Sequence, residues 1–119
     1  MHTVSKDFTF EASHQLRADL LGAAHKCCRL HGHSYRIRVY CASKELDPRG
    51  FVSDYAEITA AVEPLVARLD HRYLNDVLSF HTTAENIAEW LFNNLRPALP
   101  NLSRVDVFET AKTCCTYTL

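Results

Sequence analysis

His31-Gly32-His33 is the stretch of this chain whose residue types and spacing are best suited to chemistry. On an extended backbone, residues two apart share a face and lie about 6–7 Å apart along the strand, so both imidazoles can turn toward one point. Gly32 between them leaves room for close approach of another backbone. His14 ends an upstream stretch of the same alternation, and three histidines with a fourth position open form the donor set of a catalytic rather than a structural zinc ion. A lone His-x-His can equally be two ordinary histidines satisfied by hydrogen bonds. Here a polar tip on an apolar strand, a glycine-spaced pair and a nearby thiol favour the metal, so His14, His31 and His33 are the expected ligands of Zn²⁺.

Cys27 lies four residues before His31, near enough to reach whatever the metal binds. A thiol beside a cation and basic groups is biased toward thiolate, which can act as base or nucleophile. A fourth zinc ligand and an inert buried thiol are equally open for Cys27, and Cys28 is its rival for any role. Asp70-His71 sets a carboxylate beside an imidazole, able to hold its tautomer and support proton transfer. On its own such a pair is more often a helix-end cation beside a solvated acid. Glu109 continues the face of Val105 and Val107, which should point into protein, where an unpaired carboxylate is costly. Either a ligand carrying N–H donors or a buried Arg or Lys would satisfy it. His2, His25 and His81 have no comparable setting and are expected to face solvent.

The elements that must position these groups follow from periodicity. Val4, Lys6, Phe8, Phe10, Ala12 and His14 share one parity, which predicts a strand. After a looser stretch from Arg17 to Arg29, Tyr35, Ile37, Val39 and Cys41 alternate with Ser34, Arg36, Arg38 and Tyr40, as an antiparallel partner would, up to the turn-rich residues 46–50. Asp54 and Glu57 have capping-box spacing, and Ile58, Ala61, Val62, Leu65, Val66 and Leu69 fall on one helical face, so a helix is predicted from Tyr55 to Leu69, kinked or restarted at Pro64. Thr82 and Glu85 form a second box before a helix that Pro97 and Pro100 end, and a last hairpin joins Val105–Glu109 to Thr113–Thr118. The expected architecture is α+β: a four-stranded antiparallel sheet with two helices on one face. Its two open edges call for a homo-oligomer.

Composition narrows the remaining possibilities. With 119 residues, 47% of them hydrophobic, residues 1–119 fit one domain able to bury roughly two-thirds of its unfolded surface. Thirteen Lys and Arg balance 14 Asp and Glu without a basic run, which argues against nucleic acid as a partner. No stretch approaches the roughly 18 apolar residues of a membrane span, and the first residues lack an apolar leader, so no membrane partner and a cytoplasmic location are expected. Five cysteines, at 27, 28, 41, 114 and 115, are an odd number with two adjacent pairs, a poor disulfide framework and a better match to free thiols in a reducing compartment.

Taken together, Phe10-Glu11-Ala12-Ser13-His14, Cys27-x-x-x-His31-Gly32-His33, Asp70-His71-Arg72-Tyr73-Leu74-Asn75, Thr82-Thr83-Ala84-Glu85-Asn86 and Glu109-Thr110 resemble, in order and spacing, the 6-pyruvoyl-tetrahydropterin and 6-carboxy-tetrahydropterin synthase family. The resemblance implies the tunnelling fold, in which three subunits join four-stranded sheets into a barrel, commonly stacked as a hexamer, with active sites between subunits. It implies zinc on His14, His31 and His33, Cys27 as the proton-transferring thiol, Asp70 and His71 as its relay, and Glu109, with Thr110 beside it, on the N–H edge of a pterin. The short cysteine-to-histidine spacing is similar to the bacterial carboxy-forming branch. That branch implies conversion of 7,8-dihydroneopterin triphosphate to 6-carboxy-5,6,7,8-tetrahydropterin, with loss of acetaldehyde and triphosphate, on the route to 7-deazaguanine and queuosine. Cys28 departs from the glycine expected there, and Lys26 and Arg29 are candidates for holding the triphosphate. A pyruvoyl-forming synthase is the alternative activity, and a noncatalytic zinc-binding oligomeric module, its metal closed by Cys27 or Cys28, is the alternative of another class.

Overall fold

Alternation along the first forty residues builds a long hairpin. In the computed structural model, which describes residues 1–119, β1 (His2–His14) runs antiparallel to β2 (His31–Ser43), in register from His2 opposite Ser43 to His14 opposite His31. The connection between them carries a short helix, α1 (Ala18–Leu21), and a 3₁₀ turn, Lys26–Cys28. Then follow α2 (Tyr55–Leu69), β3 (Arg72–Tyr73), α3 (Leu74–Val77), α4 (Ala84–Leu95), β4 (Leu102–Thr110) and β5 (Thr113–Tyr117).

The sheet corrects the expectation of four antiparallel strands. It has five, in the order β3-β1-β2-β4-β5, and is mixed, because β3 pairs parallel to Ala12 and Ser13 of β1. The chain leaving α2 is drawn to that edge by two bonds to Glu11: Asp70 Oδ1 accepts its N–H at 2.9 Å, and His71 donates to its carbonyl at 2.6 Å. A two-residue strand made this way has no alternation of its own to read.

α2 has the predicted bounds and begins at Asp54, whose carboxylate accepts the N–H of Ala56. It neither stops nor restarts at Pro64. Both Pro64 and Ala60, whose carbonyl loses its usual donor, lie on the exposed side, where water can take the freed acceptor. The cap of α4 is Thr83 rather than Thr82: its hydroxyl accepts from Asn86 N at 3.2 Å. Ile58, Val62 and Leu69 from α2 and Ile87, Ala88, Leu91, Phe92 and Leu95 from α4 pack on Phe10, Tyr35, Ile37, Val39, Val105 and Val107 of the sheet. The opposite face of β1 and β2 carries Ser5, Asp7, Thr9 and Glu11 beside Arg36 and Arg38. No helix is long and apolar enough to cross a membrane.

Candidate metal centre

The register of the hairpin assembles the three histidines. His14 lies directly opposite His31, and His33 is opposite Ala12, so all three side chains emerge on the helix-bearing face at one end of the sheet. Ring centroids are 4.6, 5.1 and 4.9 Å apart, and the potential ligand atoms all lie within 4.8 Å of one another. A Cβ at Gly32 would sit 3.2 Å from the Ala12 carbonyl oxygen, which is the close approach the glycine permits.

Hydrogen bonding decides which nitrogen His14 and His31 present. His14 is fully buried, with Nδ1 2.8 Å from the carbonyl oxygen of Thr82 and 3.2 Å from its hydroxyl. A carbonyl can only accept, so Nδ1 carries the hydrogen and Nε2 presents its lone pair. His31 repeats the arrangement, Nδ1 facing the Arg29 carbonyl at 2.7 Å. His14 Nε2 is the one buried side-chain polar atom with no hydrogen-bond partner. A buried, unpaired lone pair aimed at two further imidazoles fits a metal ion, which would satisfy it. Burial pushes the pKa of His14 down to about 4, the Thr82 carbonyl opposing and His31, His33 and His81 assisting, so the ring is neutral at physiological pH. Burial, and then His31, lower that of His33.

Glu109 closes one side. Its Oε2 lies 3.4 Å from Nε2 of both His14 and His33. An ionised carboxylate and an unprotonated ring nitrogen are both acceptors, so this is a contact that a shared cation would make favourable. Burial raises the Glu109 pKa, Glu85 adds to the rise and His31 opposes it. Of the two neighbours considered from sequence, Arg or Lys is absent from its ion pairs. Thr110 sits at the β4–β5 turn, its hydroxyl bonded to that of Thr113 at 2.8 Å, and with Glu109 it lines a cleft that Thr9, Glu11, Ser34 and Arg36 complete.

The other expected groups stand apart from the three rings. Cys27 and Cys28 occupy the 3₁₀ turn, half-buried, and neither joins the metal-competent group. His25 is exposed, as expected, and accepts the Cys27 N–H on Nδ1 at 3.1 Å. His81 departs from the expectation of a solvent-facing ring: it is partly buried, and its Nε2 accepts the N–H of Arg17 at 3.1 Å. Asp70 and His71 do pair, Oδ1 to Nδ1 at 3.0 Å, with the Asp70 pKa lowered by the Glu11 N–H and then by His71. His71 adopts φ +57°, its side chain is 79% exposed, and it lines a polar cleft of 440 Å³ with Glu11, Ser13, Ser34 and Arg72. No hydrogen bond links that pair to Cys27.

Sequence reasoning missed the supports. Thr82, assigned to capping, instead holds the ring of His14, which is possible because its neighbour Thr83 serves as cap. Asn75 donates Nδ2 to the Gln15 carbonyl at 2.9 Å and accepts the Gln15 N–H on Oδ1 at 3.0 Å, fixing the backbone that follows His14. A polar residue closing the Asp70–Asn75 motif was the available signal.

Comparison with known proteins finds similarity along the whole chain. Residues 3–119 match the family profile described as 6-pyruvoyl tetrahydropterin synthase. A Synechocystis protein named 6-carboxy-5,6,7,8-tetrahydropterin synthase is 44% identical over 124 residues, covering 98% of this chain and 93% of its own. One of the same name from Bacillus subtilis is 29% identical over 127 residues, covering 96% and 83%. The structure of Caenorhabditis elegans 6-pyruvoyl tetrahydropterin synthase superposes with a TM-score of 0.88 at 29% identity, over 99% of this chain and 95% of that one.

Proposed function

The chain belongs to the 6-pyruvoyl tetrahydropterin synthase family, and from that premise we propose that it is a zinc-dependent lyase converting 7,8-dihydroneopterin triphosphate to 6-carboxy-5,6,7,8-tetrahydropterin, with release of acetaldehyde and triphosphate. The observation that carries the reading is the orphaned Nε2 of His14, buried and aimed at His31 and His33. The name of the Synechocystis relative and the Cys27-x-x-x-His31 spacing favour the carboxy-forming activity over the pyruvoyl-forming one. Residues 1–119 act as one domain, the setting is the cytoplasm, and the product feeds 7-deazaguanine and queuosine synthesis.

Zinc held by His14, His31 and His33 would supply Lewis acidity at the oxygens of the substrate side chain. Glu109 accepts from the N–H edge of the pterin and so sets how deep the ring enters, with Thr110 beside it at the rim. Cys27 moves a proton on one side of the substrate side chain. On the other, Asp70 Oδ1 holds the Nδ1–H of His71, leaving Nε2 free to take up and return a proton. An exposed His71 unconnected to Cys27 within one chain supports a site completed between copies, in a trimer or a hexamer built from trimers.

Mass analysis of the products formed from 7,8-dihydroneopterin triphosphate tests the reading, because carboxy and pyruvoyl pterins differ in mass. A pyruvoyl product assigns the other activity; no turnover with zinc retained assigns a binding module. The same assay on Cys27→Ala should show zinc retained and turnover reduced at least about a hundredfold. Loss of zinc with the thiol would make Cys27 a ligand.

A further inference from the structure

Gln15 follows His14 directly, and its side chain reaches away from β1 toward two other segments. Nε2 donates to the carbonyl oxygen of Cys28 at 3.3 Å, and Oε1 accepts the hydroxyl of Tyr73 at 2.8 Å. The Cys28 carbonyl can only accept, so the NH₂ end must face it and the oxygen must face Tyr73; the amide has one satisfactory orientation. Asn75 holds the Gln15 backbone through both its N–H and its carbonyl, so the side chain extends from a fixed base. One residue therefore joins the metal-ligand strand, the cysteine turn, and β3, which follows His71.

The cysteine turn needs such a tie. Its internal bonds, Cys28 N to the His25 carbonyl, Arg29 N to the Lys26 carbonyl and Cys27 N to the His25 ring, set its shape but not its placement against His14 on the other strand. Only two hydrogen bonds cross from residues 26–28 to the end of β1: Leu16 N to the Cys27 carbonyl at 2.9 Å, and the Gln15 amide. On the β2 side the turn is held through Arg29, whose carbonyl meets His31 Nδ1 at 2.7 Å; on the β1 side the Gln15 amide adds a second bond to that of Leu16 and limits the angle at which the turn presents the thiol.

We propose that Gln15 is a positioning residue, whose side-chain amide sets where the Cys27 thiol stands relative to the three-histidine centre. This rests on the reading of Cys27 as the proton-transferring group. A small displacement of a reacting group costs rate rather than substrate affinity, so the effect belongs in kcat.

Gln15→Glu tests the tie with the shape conserved: it keeps an oxygen for Tyr73, loses the donor to Cys28 and sets a carboxylate against its carbonyl oxygen. Gln15→Met removes both bonds at similar length, so a folding defect peculiar to one variant leaves the other to decide. Zinc content, thermal midpoint, kcat and KM are measured on the zinc-loaded protein, together with the iodoacetamide alkylation rate read at Cys27 by peptide mass spectrometry. The expected result is full zinc content, KM within about twofold, kcat lower by about ten- to a hundredfold, and Cys27 alkylation altered at least about threefold. Wild-type kcat and alkylation in both variants would overturn the proposal, and so would loss of zinc in parallel with kcat, which would make Gln15 a support for His14. Full activity in Cys27→Ala would defeat the catalytic reading, while the alkylation rate would still decide whether Gln15 places the turn.

Discussion

Glu109 shows how one carboxylate can be asked to do two things. Its strand parity sends it inward, burial raises its pKa, and its Oε2 contacts two ring nitrogens at 3.4 Å. A cation held by those rings would favour the ionised form, which is the form that the proposed contact with a pterin N–H edge requires. Glu109→Gln keeps the shape while losing the charge and half of the acceptor capacity. Its expected effect is a KM for the pterin raised about ten- to a hundredfold, as for a lost hydrogen bond to a charged group, with zinc stoichiometry unchanged at saturating metal. Steady-state kinetics beside metal analysis checks this, and an unchanged KM would remove Glu109 from the pterin site.

At the scale of elements, the polar face of the sheet has its own anchor. Asp106 of β4 is 2% exposed and accepts from Arg104 at 2.8 and 3.0 Å, from the Tyr40 hydroxyl at 2.8 Å and from the Thr116 hydroxyl at 2.6 Å, tying β2, β4 and β5. Burial alone would raise its pKa, but Arg104, Thr116 and Tyr40 together outweigh it and the net shift is downward. A depressed carboxylate contributes stability that is complete above its unfolded pKa, near 4, and is lost as pH falls through the folded value. Asp106→Asn should therefore cost about 2 kcal/mol at neutral pH, and the gap from wild type should narrow below about pH 4. Thermal melts from pH 7 to pH 3 measure both; a gap independent of pH would mean that hydrogen-bond geometry, not charge, is what Asp106 supplies.

The same scale shows what can be read from the chain before it folds. β1, β2 and α2 are legible because each repeats its period many times, and α2 begins and ends at the predicted residues. β3 is not, since two residues carry no period and their pairing is set by Asp70 and His71 reaching Glu11. The three histidines are legible as a set, because parity and an antiparallel register suffice to bring them together. The choice between Thr82 and Thr83 as cap is not: both suit the role, and His14, distant in sequence, decides it by occupying Thr82. Gln15, likewise, gains its partners only when residues 28 and 73 are brought to it.

As a whole molecule the chain is elongated and leaves both edges of its sheet largely free. It measures 55 × 24 × 23 Å, with a radius of gyration of 15.5 Å against about 13.5 Å for a compact domain of this length. The excess comes from a hairpin of two 13-residue strands, of which β3 covers only Ala12 and Ser13 along the free edge of β1. β5 leaves a second free edge, and two such edges on one sheet suit a closed ring of copies. If the ring joins Cys27 of one copy to Asp70 and His71 of the next, two inactive variants should rescue each other. Cys27→Ala and His71→Ala, unfolded and refolded together in equal amounts, should recover about a quarter of wild-type turnover, since each junction has even odds of an intact Cys27 and, independently, of an intact His71. Mixing without refolding gives the background. If instead the thiol and its relay belong to one chain, every copy in the mixture lacks one of them, and co-refolding would leave the activity at that background.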